Sequence, residues 1–182
     1  MSTSAPEFSR IERLDMLGRG GDRVRIEADP QEREALRQRF GLMELSRLAA
    51  EYVLARDVAV LANVDGSIMA RGRIEADLVQ ACVATGTAVP ESINESFTIR
   101  FERASAALDP DAEIELNAED CDVIYFSGDQ IDMGEAVAET LSLTMKPYPR
   151  AHDADRVLRE VGVLKEEDVG PFAKLRELTK KN

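Results

Sequence analysis

Polar and apolar residues alternate along three stretches of the chain, and each alternation predicts a strand with one buried face. Val24, Ile26 and Ala28 alternate with Arg23, Arg25 and Glu27. Ile68, Ala70, Gly72, Ile74, Ala76, Leu78 and Gln80 share one face of a longer run, with Met69, Arg71, Arg73, Glu75 and Asp77 on the other. Ile93 leads into Phe97, Ile99 and Phe101, which alternate with Thr98 and Arg100. Asn63-Val64-Asp65-Gly66 and Thr85-Gly86-Thr87 supply turn chemistry between them, so the pattern predicts a meander of at least three antiparallel strands. Residues 44–62 are ambiguous: their Ala and Leu content suits a helix, whereas Tyr52, Leu54, Val58 and Val60 fit a strand better. Residues 7–14 read as a short strand burying Phe8, Ile11 and Leu14, followed by a tight turn at Gly18–Gly21.

Asp29-Pro30 has the form of a helix cap with proline at the first helical position, and Gly41 the form of its end. Val123-Ile124-Tyr125-Phe126 is a short apolar strand closed by Gly128. Asp132-Met133-Gly134-Glu135 reads as a capping-box start. The helix it opens carries Val137, Leu141 and Met145 on one face, with Ala138 beside them, and stops at Pro147. Ala154 to Gly162 forms a short helix. Gly170-Pro171 opens a last one, whose stripe of Phe172, Leu175 and Leu178 docks on the domain's own sheet. The fold class is therefore α+β: an antiparallel β-meander, with barrel-like closure as one form, an early helix and a helical C-terminal third. Residues 1–150 are expected to form one α+β domain with an acidic loop near 104–120, and residues 151–182 a helical extension packing back on it.

Composition adds a compartment and a charge pattern. The 182 residues, 44% hydrophobic, suffice for a single buried core without a disulfide or metal. Cys82 and Cys121 are far apart, the N-terminal stretch is interrupted by Arg10, Glu12, Arg13 and Asp15, and no apolar run reaches the ~18 residues of a membrane span. These features predict a cytoplasmic protein with reduced thiols. Net charge is −12, and between Ala104 and Met145 there is no Lys or Arg but eleven acids, from Asp109 to Glu139. Aromatic residues are only 5% with no Trp, so platforms for stacking bases are few.

Most catalytic classes have no constellation to use. His152 is the single histidine and lies in a Pro-punctuated stretch expected on the surface, where it serves neither a Ser-His-Asp nor a Cys-His pair. Three Cys and His residues with no close pair exclude a structural zinc site. A carboxylate–Mg²⁺ hydrolase would have to use Asp120, Asp122, Asp129 and Asp132, where no neighbouring cation steadies a transition state. No cofactor is called for. Binding chemistry is better represented. Arg71 and Arg73, with Arg10, Arg23 and Arg25, could contact RNA phosphates, although Glu27, Glu75 and Asp77 interleave them as on an ordinary solvated face. Asp109, Asp111, Glu113 and Glu115 could instead hold a basic partner by mimicking a phosphate backbone, in a manner weakened by salt.

The C-terminal half carries a resemblance. Asp129-Gln130-Ile131-Asp132-Met133-Gly134-Glu135, Glu139-Thr140-Leu141-Ser142-Leu143, Pro147-Tyr148-Pro149-Arg150 and Gly170-Pro171-Phe172-Ala173-Lys174-Leu175 stand in the order seen in the YceD family, the large ribosomal RNA subunit accumulation proteins. The segment from Ala76 to Thr85, then Glu95-Ser96-Phe97 and Phe101, resembles that family's centre, and the whole is most similar to its alphaproteobacterial branch. Cys82, Asp132, Glu139, Pro147, Pro149, Pro171 and Phe172 occupy signature positions. Many relatives carry C-x-x-C in the central turn; here the positions are Cys82 and Thr85, so a metal or redox role is not expected and Cys82 reads as a small buried hydrophobe. The resemblance implies a cytoplasmic, non-enzymatic factor for 23S rRNA synthesis, processing or accumulation. It would act on ribosomal RNA, or on a large-subunit ribosomal protein as an adaptor or chaperone, and not on DNA or membranes.

Overall fold

A computed structural model describes residues 6–17, 21–56, 67–104 and 122–163. Its centre is a five-stranded sheet in the order β2-β3-β4-β5-β6. The strands are β2 (Arg23–Glu27), β3 (Glu44–Arg56), β4 (Ile68–Ala81), β5 (Ala88–Arg103) and β6 (Asp122–Phe126). The ambiguous segment is thus a strand over Glu44–Arg56. A two-stranded ribbon pairs β1 (Ile11–Arg13) with β7 (Gln130–Asp132). Helices α1 (Pro30–Arg39), α2 (Met133–Thr144) and α3 (Ala154–Glu160), with a single 3-10 turn at Leu14–Met16, complete the elements of the described residues.

The alternating face of β4 is buried as its period requires. Ile68, Ala70 and Ile74 are fully buried, with Ala76 and Leu78 nearly so, against Ile93, Phe97, Ile99 and Phe101 of β5. α1 packs on β3 and α2 on β4 and β5, so Leu36, Val137, Ala138 and Leu141 close the core from one side. α1 starts at a complete capping box: Asp29 accepts from the Gln31 and Glu32 amides, and Glu32 accepts from the Asp29 amide. It ends at Gly41 with φ +64°, a conformation that costs glycine little.

Three expectations are corrected. The sheet is open, with no closed barrel among the described residues, and it is mixed: β6 runs parallel to β5, a pairing that a tight hairpin turn cannot make. Ile11 is 52% exposed, since the strand there is only Ile11–Arg13 and faces β7, while Phe8 and Leu14 on either side carry the burial. At α2 Asp132 caps as expected, but Glu135 does not reach back to complete a box; its carboxylate pairs with Arg39 of α1. The helical C-terminal third is seen as α2 and α3. Val58, Val60, Cys121, the glycine turn at 18–20, the 105–121 segment and the Pro171–Phe172 helix lie outside the described residues.

The N-terminal segment is tied down by Asp132. Its carboxylate accepts from Ser9 Oγ (2.6 Å), the Arg10 amide (2.8 Å), and the Gly134 and Glu135 amides (3.0 and 3.2 Å). Arg10 in turn forks onto Glu32 of α1, and Arg39 bridges Glu7 and Glu135, which raises the guanidinium's pKa.

Candidate nucleic-acid interface

One face of the sheet is covered by the helices; the other presents polar side chains, and β-sheet register decides which of them meet. Across β2, β3, β4 and β5, one row reads Arg23, Val53, Arg71, Thr98 and the next Arg25, Glu51, Arg73, Ser96. On the far side of the first row stand Ala55, Met69 and Arg100. Beyond the second row lie Glu27, Ala49, Glu75 and Asn94, then Arg47, Asp77 and Ser92. The face is therefore polarised. Among the described residues three adjacent rows hold Arg23, Arg25, Arg71, Arg73 and Arg100 against Glu51, with Glu102 in the row beyond Arg100, and the two rows at the other end hold Glu27, Glu75 and Asp77 against Arg47.

Pairing sharpens the contrast. Arg25 and Arg47 converge on Glu75 (3.6 and 2.5 Å), which confines their charge to the acidic half. Arg23 reaches Glu51. Arg73 donates to Asn94 Oδ1 (2.6 Å) and meets no carboxylate, and Arg71 has no ionic or hydrogen-bonding partner among the described residues. Arg100 is half-buried and its Nε is without an acceptor. A depression of about 230 Å³ lined by Arg23, Glu51, Val53, Arg71, Arg73 and Ser96 lies in the middle of this half. The structure thus sets four of the five arginines singled out in the sequence in adjacent rows, whereas Arg10 is off this face and paired with Glu32 of α1. Arg100 was missed, though it has the same parity as Thr98 on β5 and that alternation was signal enough.

The signature positions form a second assembly at the tip of the β4–β5 hairpin. Cys82 is 3% exposed, and Gly86 takes φ +71° to make the turn. The Val83 amide donates to the Pro149 carbonyl (2.9 Å), and the Ala151 amide donates to Cys82 Sγ (3.3 Å), so the Pro147–Ala151 strap is clasped to the turn. Pro149 is buried beneath it, whereas Pro147 and Tyr148 are exposed. His152 is exposed as expected. Cys82 is more than a small hydrophobe: the Ala151 amide and the Thr85 hydroxyl favour its thiolate and lower its pKa to about 7. The thiolate stabilises the fold above the unfolded thiol's pKa, and that contribution is lost as pH falls through about 7. The melting temperature of the wild type relative to Cys82→Ala should therefore rise between about pH 7 and pH 9. A difference that is flat with pH would refute the thiolate clasp.

Glu139 lies elsewhere, on α2, in a cleft with Phe101, Tyr125 and Phe126, and burial beside Glu135 raises its carboxyl pKa. Of the carboxylates considered for metal, Asp132 is engaged as the cap, Asp129 lies near Arg103 (3.6 Å), and Asp120 is outside the described residues. Asp109, Asp111, Glu113 and Glu115 are outside them too. No three His, Cys, Asp or Glu side chains among the described residues are grouped to hold an ion. No helix among them is long and apolar enough to cross a membrane.

By fold and surface this is an α+β protein with helices on one face of an open sheet and a charge-polarised polar face on the other. The chain belongs to the family described as large ribosomal RNA subunit accumulation protein YceD, which it matches over residues 70–179. No curated protein and no solved structure matches it.

Proposed function

We propose that the protein is a non-enzymatic, cytoplasmic factor that supports accumulation of 23S rRNA by binding RNA directly on the arginine half of its open sheet face. Family membership supplies the link to large-subunit rRNA. The observation that carries the direct contact is that five arginines stand in those three rows, of which Arg71, Arg73 and Arg100 meet no carboxylate among the described residues. Guanidinium forks grip phosphate oxygens bidentately and hold a backbone in place without chemistry. The opposite half bears Glu27, Glu75 and Asp77, which repel a polyanion and confine it to one end of the sheet.

The test is the ratio of large- to small-subunit rRNA in cells lacking the protein, complemented with wild type or with Arg71→Glu plus Arg73→Glu. The ratio should fall on deletion, recover with wild type and stay low with the variant. Full rescue by the variant would remove the arginine face from the function, and an unchanged ratio on deletion would remove the rRNA role. The concentration of acids between Ala104 and Met145 supports a second reading, capture of a basic large-subunit ribosomal protein by Asp109, Asp111, Glu113 and Glu115. Binding of such a protein that falls steeply with salt, and falls again when these four are neutralised, would favour it.

A further inference from the structure

We infer that the RNA held on the arginine half is double-helical and is recognised by its sugar–phosphate backbone, 2′-hydroxyls included; this rests on the RNA-binding reading above. Three features of the face lead there.

The first is what the face lacks. Sequence-reading proteins splay single-stranded bases onto aromatic rings. Among the described residues the open face has one aromatic side chain, Tyr125, which follows the parity of Val123 and sits on edge strand β6 in register with Glu102. It is about 14 Å from Thr98 and about 16 Å from Arg71 by standard sheet spacings, though only about 8 Å from Arg100, and its register partner is an acid. Val53, Met69 and Val123, apolar residues beside the arginines, offer no ring.

The second is the spacing of the cations. Arg23 and Arg71 share one row and Arg25 and Arg73 the next, which places their four Cα atoms at the corners of a block about 7 Å by about 10 Å; Arg23 and Arg25 are tied to Glu51 and Glu75, and Arg71 and Arg73 form its carboxylate-free side. Such a block engages phosphates along a fixed backbone and suits a rigid helix better than a coil that must be ordered on binding.

The third is the neighbour of each unpaired cation. β5 presents Ser92, Asn94, Ser96 and Thr98 on this face, all exposed. Ser92 is held by Asp77, and Asn94 accepts from Arg73. Ser96 and Thr98 have no hydrogen-bonding partner through their hydroxyls among the described residues, and they lie beside Arg73 and Arg71 in register, about 5 Å away at Cα. A hydroxyl both donates and accepts, which is what a ribose 2′-OH requires of a partner. A phosphate fork with a hydroxyl next to it is complementary to the wide, shallow minor groove of A-form RNA, where phosphates and 2′-hydroxyls line one surface, and B-form DNA lacks the second group.

The experiment compares the full chain's affinity for a short RNA duplex, the DNA duplex of the same sequence, and one RNA strand alone, at one salt concentration. The RNA duplex should bind about tenfold more tightly than the DNA duplex, the equivalent of two modest hydrogen bonds, and also more tightly than the single strand. Ser96→Ala plus Thr98→Ala should erase the RNA–DNA difference and leave DNA affinity unchanged. Thr98→Val, which keeps the β-branched shape suited to a strand, should reduce the difference in part without risk to the fold. Arg71→Gln plus Arg73→Gln should weaken both duplexes. Equal RNA and DNA affinity, tighter binding of the single strand, or a preference that survives the alanine pair would each overturn the inference while leaving RNA binding in place. Failure to bind any of the three would overturn the underlying reading as well.

Discussion

Gly72→Ala is expected to bring the protein close to its folding limit. Gly72 lies on the buried face of β4, opposite Tyr52 of β3 and Phe97 of β5. A Cβ there would stand 2.4 Å from the Glu51 carbonyl oxygen, 2.7 Å from the Phe97 ring and 2.8 Å from Tyr52 Cβ. The ring can turn, but the other two atoms belong to the neighbouring strand's backbone and to its first side-chain atom, and neither yields without separating β3 from β4. Overpacking of this kind costs about 3 kcal/mol, a large share of the ~5–15 kcal/mol that holds a domain of this kind folded. Thermal melting should move down by roughly 6–12 °C. Gly41→Ala is the control: a Cβ at that position meets nothing within 4 Å, so only the left-handed backbone conformation is penalised, by about 1 kcal/mol. Equal losses at the two glycines would show that contact with Glu51 and Tyr52 is not the cause.

The second large effect is expected at Asp132. Alanine there removes the cap of α2, worth about 1 kcal/mol, and leaves the Arg10 amide and Ser9 hydroxyl without their acceptor, at about 1–3 kcal/mol more. The total is about 2–4 kcal/mol, and it should be localised, with hydrogen exchange accelerating first at residues 10–13 and 130–132, where β1 and β7 pair. Asparagine keeps a carbonyl oxygen for the Arg10, Gly134 and Glu135 amides and should recover most of the loss. An Asp132→Ala protein whose β1 and β7 amides exchange at the wild-type rate would refute the tie.

These two sites mark what the sequence could and could not disclose. The alternation from Ile68 to Leu78 made β4 and its buried face legible, and Asp29-Pro30 with Gly41 fixed α1, because both signals are local. Asp132 was legible as a cap for the same reason. Its bonds to Ser9 and Arg10 were not, since they join residues more than 120 positions apart and no period in the sequence encodes them. The parallel placement of β6 is of the same kind: Val123–Phe126 declared a strand, but its partner follows from the route of the intervening chain. The arginines divided similarly. Alternation put Arg23, Arg25, Arg71 and Arg73 on polar faces, while only the register of β2 against β3 and β3 against β4 set them in adjacent rows and sent Arg25 and Arg47 toward Glu75. Cys82 read as a buried small residue, and the strap that donates to its sulfur was hidden because Ala151 lies 69 positions further along the chain.

The long reach of the Asp132 tie has a consequence for synthesis on the ribosome. Phe8, fully buried in the finished protein, leaves the ribosome well before the acceptor that fastens its neighbour Arg10 is made, 122 residues later. At ~5–20 residues per second that interval is on the order of 6–24 s. During it the sheet from β2 to β5 can assemble, while the N-terminal segment trails with its phenylalanine in water. Phe8 and Arg10 are thus made long before they can be fastened, and the nascent chain carries an exposed phenylalanine until Asp132 and α2 have been made.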